Sequence, residues 1–222
     1  MADPTNAVRP REFVIVGAGG FGREMATFLN DCWPSDSFRI RGFLAQETDA
    51  VVQNRVRYPI LGDPDTYQPR TTEQFLLAIG AVPSRRRVVE ALTSRGGEFV
   101  SFIHPTAVIA SGATIGTGCV LAPHTMVSNG ASLANYTLLN YYASAGHDSV
   151  LGRFSVLSPY ATLNGHAIVE EHVFVGTHAV VAPGVRVGQH SVVGAGAIVL
   201  QDVAARSFVR GVPAKASERN QD

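Results

Sequence analysis

The chain is short of cysteine, of net charge and of long apolar runs. Cys32 and Cys119 are its only cysteines, far apart and without a CxxC. They offer neither a disulfide framework nor a thiolate metal site, and two reduced, buried thiols are expected. Lys plus Arg and Asp plus Glu each number 18. Zero net charge argues against a nucleic-acid binder held by phosphate contacts. No run of about eighteen apolar residues occurs, so no membrane span is expected. The opening MADPTNAVRPRE has no apolar stretch after a basic start. No secretory signal is read there, and a cytoplasmic protein is expected. The methionines and Trp33 form no cofactor pattern.

Glycine, at 22 residues, is plentiful, and it sits among regularly spaced Val, Ile and Leu. From Ile103, steps of six land on Ile109, Ile115, Leu121, Val127, Leu133, Leu139, Ala145 and onward to Val193 and Val199, each aliphatic and without a gap. Four residues after each stands a mostly small one, such as Ala107, Cys119, Ala131, Ala143, Ala161 or Ala179. A six-residue period is neither helical nor simple strand alternation. It fits short strands joined by tight turns, one large and one small side chain of each hexad pointing into a narrow prism. This is the hexapeptide repeat of the left-handed parallel β-helix, in which three hexads make one triangular coil.

Ahead of the repeat, residues 12–16 read as a buried strand, Gly17-Ala18-Gly19-Gly20-Phe21-Gly22 as a glycine-rich turn, and Arg23 to Leu29 as a helix start. Backbone N–H groups and the helix dipole would there face an anion. Further strands are read at Ile40 to Leu44, followed by Ala45-Gln46-Glu47, and at Gln74 to Ile79, ending at Gly80. An arginine-rich helix follows from Ser84 to Arg95. The expected organisation is an α/β, Rossmann-like domain with a short parallel sheet over residues 1–100. An all-β left-handed parallel β-helix over 101–222 follows, closed by Gly211 and Pro213 and a frayed tail, SERNQD.

Together GAGGFGRE, LAIGAVPSRRR, the hexads and GVPAK resemble the bacterial nucleotide-sugar acyltransferases of the bacillosamine and perosamine N-acetyltransferase type, with their sialic-acid O-acetyltransferase relatives. The likeness covers nearly the whole chain. It implies acetyl-CoA as donor, a nucleotide-linked amino sugar as acceptor, a homotrimer and no metal. It carries the catalytic base onto His147, an orienting carboxylate onto Asp148 and a polar site residue onto Asn140. An imidazole is suited to the task because it titrates near working pH. Adjacent residues on a straight strand face opposite ways, so Asp148 can reach His147 only at a coil corner. The resemblance places acetyl-CoA between subunits along Val156, Gly176, Thr177 and Ala195, with Val156 where some members carry a histidine. It places the nucleotide sugar on Gly19, Gly20, Phe21, Gly80 and Arg85. Ala45-Gln46 stands where some members carry an acidic pair, with Gln46 on the acceptor side.

Three other readings compete. The acyl group could pass to a sugar hydroxyl. His172 and His190, eighteen residues apart, could stack and hold zinc as in trimeric β-helix carbonic anhydrases. The chain could also be a non-catalytic nucleotide-sugar-binding scaffold, against which the His147-Asp148 pair argues. His124, His166, His172, His178 and His190 all fall three residues after an aliphatic position, and solvated turn sites are expected for them.

Overall fold

The computed structural model describes residues 11–32, 34, 37–46 and 56–218. Expectations placed on the first ten residues, Trp33, Glu47 and residues 219–222 lie outside the described residues. The apolar segment FVIV is the buried part of β1 (Arg11–Val16). Then follow α1 (Gly20–Cys32), β2 (Phe38–Leu44), β3 (Ile60–Gly62), β4 (Glu73–Leu77), α2 (Val82–Thr93) and β5 (Glu98–Phe99). The strands form one parallel sheet in the order β3-β2-β1-β4-β5. This is the expected Rossmann-like unit with two extra edge strands, β3 and β5, too short to show a period. Both helices start earlier than their apolar spacing suggests. In α2, Pro83 occupies the first turn, where a missing N–H costs nothing.

From β6 (Phe102–Ile103) to β22 (Ile198–Val199), two-residue strands recur every six residues. Pairing steps by eighteen: Val108 lies beside Met126, then Ser144, Thr162, Val180 and Ile198. Each coil therefore lays one strand on each of three parallel sheets. The front sheet carries Phe102, Val120, Leu138, Val156, Phe174 and Val192. The second carries Val108 to Ile198, and the third carries Thr114, Ser132, Val150, Ile168 and Arg186.

The inward residues form one core. Leu121, Val127, Leu139, Ala145, Leu151, Leu157, Leu163, Val175 and Val187 are fully buried, as are Cys119, Ala131, Ala161 and Ala179. Ile103, expected inside, is instead 39% exposed, and Ile109 and Ile115 are half-buried. Among the described residues no coil lies above the first one. At the other end, β23 (Ser207–Arg210) and β24 (Lys215–Glu218) pair antiparallel. Ser217 and Glu218, expected to fray, are thus strand residues.

At the corners the chain enters the left-handed region, with φ near +60° at His124, Tyr136, Tyr142, Asp148, Phe154, Tyr160, His166, His172, His178 and His190. Coils are spaced like neighbouring strands, about 4.8 Å, so rings at equivalent corners stack. His124, Tyr142, Tyr160 and His178 form one ladder, with centroids 4.9, 4.9 and 4.7 Å apart. Tyr136, Phe154, His172 and His190 form another, at 5.1, 5.2 and 4.8 Å.

The front domain rests on the front sheet. Phe28 of α1 meets Phe102, His104 and Tyr141, and Phe102, Val120, Leu138 and Val156 are buried beneath the domain. Among the described residues no helix is long and apolar enough to cross a membrane.

Candidate active site

The glycine-rich turn divides its labour. Gly17 has φ +109°, and a Cβ there would lie 2.6 Å from the Ala78 carbonyl oxygen. A Cβ on Gly22 would strike the Gly17 carbonyl oxygen. These two glycines let β1, β4 and α1 close up. Gly19 and Gly20 have nothing within 4 Å of a Cβ and are exposed. The first backbone bond of α1 runs from Arg23 N to Gly19 O. The N–H groups before it have no acceptor within the helix, the general condition under which a helix N-terminus suits an anion. Gly80 is open and exposed after β4, and Gln46 is exposed after β2. Gly19, Gly20, Gln46 and Gly80 thus gather at the carboxyl ends of β1, β2 and β4, where strand order reverses and ligands of such sheets bind. Phe21 is half-buried and packs with the domain core.

Arg85 stands elsewhere. It is fully buried; its guanidinium donates to the carbonyls of Ile79 (2.5 Å) and Tyr136 (2.7 Å). Burial pushes its pKa down to about 9. The side chain ties α2 to the β-helix coil that carries Tyr136. Beside it, Ala81 at the N-cap of α2 and Val82 and Pro83 of the helix, with His172, His190, Phe174 and Val192, line a cleft of about 480 Å³. That cleft is why His172 and His190 are half-buried, whereas His124, His166 and His178 are exposed as expected.

His147 and Asp148 occupy the corner between the second and third sheets. Asp148 adopts φ +57°, which breaks the alternation of a straight strand and turns both side chains outward together. His147 Nδ1 lies 2.9 Å from Asp148 Oδ2. With the carboxylate accepting from Nδ1–H, the lone pair of Nε2 is free to take a proton. Two glycines from adjacent coils make room for the pair. A Cβ on Gly165 would fall 2.3 Å from His147 Nε2, and one on Gly130 would fall 2.3 Å from Asp148 Oδ1. The sequence reading named neither glycine. The eighteen-residue register, once known, points to both, since Gly130 sits one coil before Asp148. His166, read as a bystander, has its Nε2 3.8 Å from the same Asp148 Oδ2.

Asn140 lies one corner earlier, between the front and second sheets, and its amide oxygen accepts the backbone N–H of Tyr141 at 2.8 Å. Beside it burial, and then the nearby Glu24 carboxylate of α1, raise the Tyr141 pKa well above the usual phenol range. Gly176, Thr177 and Ala195 stand on this same corner column, two and three coils on. Thr177 and Ala195 are exposed. Gly176 is buried, and a Cβ there would meet Ala195 N at 2.6 Å. Its role within the chain is close coil packing. Val156 is not on this column. It is 2% exposed and lies on the front sheet under the front domain. His172 and His190 stack as their spacing suggests, 4.8 Å apart and nearly parallel at 7°.

Residues 12–92 match the PglD N-terminal domain family, and residues 166–201 match the bacterial transferase hexapeptide family, as six repeats. No curated protein matches the chain significantly. Among solved structures, the acetyltransferase domain of PglB from Neisseria gonorrhoeae FA1090 is 28% identical, covering 93% of this chain and 100% of that one, with a TM-score of 0.81. WeeI from Acinetobacter baumannii AYE is 26% identical, covering 92% and 99%, TM-score 0.81. PerB from Caulobacter crescentus, in complex with CoA and GDP-perosamine, is 25% identical, covering 93% and 97%, TM-score 0.81.

Proposed function

We propose, from the premise that this chain is a hexapeptide-repeat acetyltransferase with a PglD N-terminal domain, that it moves an acetyl group from acetyl-CoA to the amine of a nucleotide-linked amino sugar. The observation that carries the reading is the exposed His147-Asp148 pair, held at 2.9 Å over glycines of the neighbouring coils. The amine attacks the thioester carbonyl and His147 Nε2 accepts its proton. Asp148 stabilises the imidazolium. As the tetrahedral adduct collapses, the C–S bond breaks and the proton passes to the departing CoA sulfur. Gly19, Gly20 and Phe21 would hold the nucleotide phosphates, with Gln46 and Gly80 flanking them.

Asn140, Thr177 and Ala195 stand on one corner of the prism and His147 on the next. A homotrimer in which the first corner of one copy faces the second corner of its neighbour would unite them, with acetyl-CoA lying between copies. A cytoplasmic enzyme of surface-glycan assembly fits this chemistry. The test is a turnover screen of UDP-, GDP- and dTDP-linked amino sugars with acetyl-CoA, beside light scattering. Acetylation of at least one amino sugar by a trimer is expected. If no amino-sugar nucleotide turns over while a sugar hydroxyl does, the N-transfer reading fails. A monomer at assay concentration sinks the shared donor site.

A further inference from the structure

His147 and Asp148 have a third neighbour. Among the described residues, His147, Asp148 and His166 form a group whose potential ligand atoms, one from each, all lie within 4.8 Å of one another. Asp148 Oδ2 is 2.9 Å from His147 Nδ1 and 3.8 Å from His166 Nε2. Ligand atoms around a tetrahedral ion with bonds of about 2.0–2.1 Å stand about 3.4 Å apart, and the two measured separations straddle that value. The imidazoles meet edge to face with centroids 5.0 Å apart.

The backbone beneath them is fixed. Gly146 N donates to Leu163 O at 2.7 Å, His166 N to His147 O at 2.9 Å and Asp148 N to Asn129 O at 3.1 Å. Asp148 and His166 share one corner column, with φ +57° and +59°. All three side chains are exposed, so the adjustment needed is rotameric, and a fourth coordination position faces solvent. Two imidazoles and one carboxylate suit zinc and its late first-row relatives rather than magnesium or calcium.

We propose that His147, Asp148 and His166 form a zinc-class cation site whose occupation switches the transferase off. Ligation through His147 Nδ1 requires the lone pair on that nitrogen, which moves the ring proton to Nε2. The nitrogen that would accept the proton of the amine then carries one of its own. Asp148, drawn to the ion, no longer orients the ring for transfer. Cation and acetyl transfer thus compete for one imidazole. The switch rests on the general-base reading of His147; the cation site stands on geometry alone.

The two parts are tested separately on the chelator-treated full chain. Titration with Co²⁺, read by visible absorption, and with Zn²⁺, read by calorimetry, should show one ion per chain. His166→Ala and Asp148→Asn should lose it with unchanged circular dichroism, and His172→Ala should keep it. Binding that survives His166→Ala, or no saturable Co²⁺ spectrum, overturns the site. In the transfer assay, Zn²⁺ should suppress wild-type turnover at least tenfold, and chelator should restore it. His166→Ala, which has no part in the transfer step, should keep turnover within a few-fold and resist Zn²⁺. Stoichiometric binding without loss of turnover overturns the switch. Failure of every acceptor would count against the transfer reading, while the Co²⁺ titration would still decide the site.

Discussion

Gly165→Ala tests the active-site geometry most sharply, because it adds one methyl and touches none of the reacting groups' chemistry. The new Cβ would lie 2.3 Å from His147 Nε2 and 2.4 Å from Cε1. An ordinary contact needs about 3.4 Å, so the ring must retreat by about 1 Å. The obstacle is the tip of an exposed side chain rather than backbone, so the ring moves and the coil does not. Gly165 does not require a left-handed φ, and Ala195 already occupies the same hexad position. Stability should therefore change by less than about 1 kcal/mol, and the lost chain entropy of glycine can make the change favourable. Catalysis is less forgiving. A misplacement of about 1 Å costs about a hundredfold, equivalent to about 2.7 kcal/mol, and the retreat also breaks the 2.9 Å bond to Asp148. The measurement is release of the CoA thiol, followed with a thiol-reactive dye, alongside a melting curve. A kcat reduced about a hundredfold, with KM for acetyl-CoA and Tm nearly unchanged, is expected. A kcat within a few-fold of wild type would refute the claim that the glycine sets the ring.

His147→Ala should lower kcat by about a hundredfold or more with the fold intact by circular dichroism; near-normal turnover would remove it as the base. A Cβ on Gly19 meets no atom within 4 Å, so in Gly19→Val Tm should hold while KM for the nucleotide sugar rises and that for acetyl-CoA does not. A parallel rise of both would make the loop structural. Burial, followed by the charge of His190, lowers the His172 pKa, and burial lowers that of His104. Native histidines that resist protonation bind fewer protons than the unfolded chain, so stability is lost as pH falls below about 6.5. His172→Phe should keep the ring ladder and shrink the drop in Tm between pH 7 and pH 5; an unchanged drop would place the acid sensitivity elsewhere.

The β-helix could be read from the sequence because each of its rules is local. An aliphatic residue every six positions and a small one four later are enough to fill a triangular coil, and Leu121 through Val199 obey. Which sheet the front domain covers was also written there and was missed. Every third hexad carries an apolar residue on the outward side, Phe102, Val120, Leu138, Val156, Phe174 and Val192, whereas the other sheets mix in Thr, Ser and Arg. Val156 fits that series, and reading it by burial rather than by analogy would have put it at the domain contact. Arg85 was expected at the nucleotide sugar by resemblance alone, and its carbonyl partner Tyr136, 51 residues away, lies beyond what local spacing shows. The His147-Asp148 pair was legible as a motif. Its glycine cradle and its neighbour His166 were missed, although the eighteen-residue coil that stacks His172 on His190 also sets Gly130 and His166 on the column of Asp148 and Gly165 on that of His147.

The coil-to-coil register makes the protein's surface behave like a ruled scale. A residue moved by eighteen positions keeps its corner and its outlook and is displaced along the axis by one strand spacing, about 4.8 Å. A residue moved by one position changes face altogether. The separation between the level of His147 and the level of Thr177 or Ala195 can therefore be altered only in whole rungs. A single inserted residue between them would rotate every later side chain off its column, whereas an eighteen-residue duplication would preserve all columns and lengthen the span by one step. Reach along this protein is set by counting coils, and under the proposed donor placement a longer or shorter donor would be fitted by arithmetic in the gene rather than by reshaping any side chain.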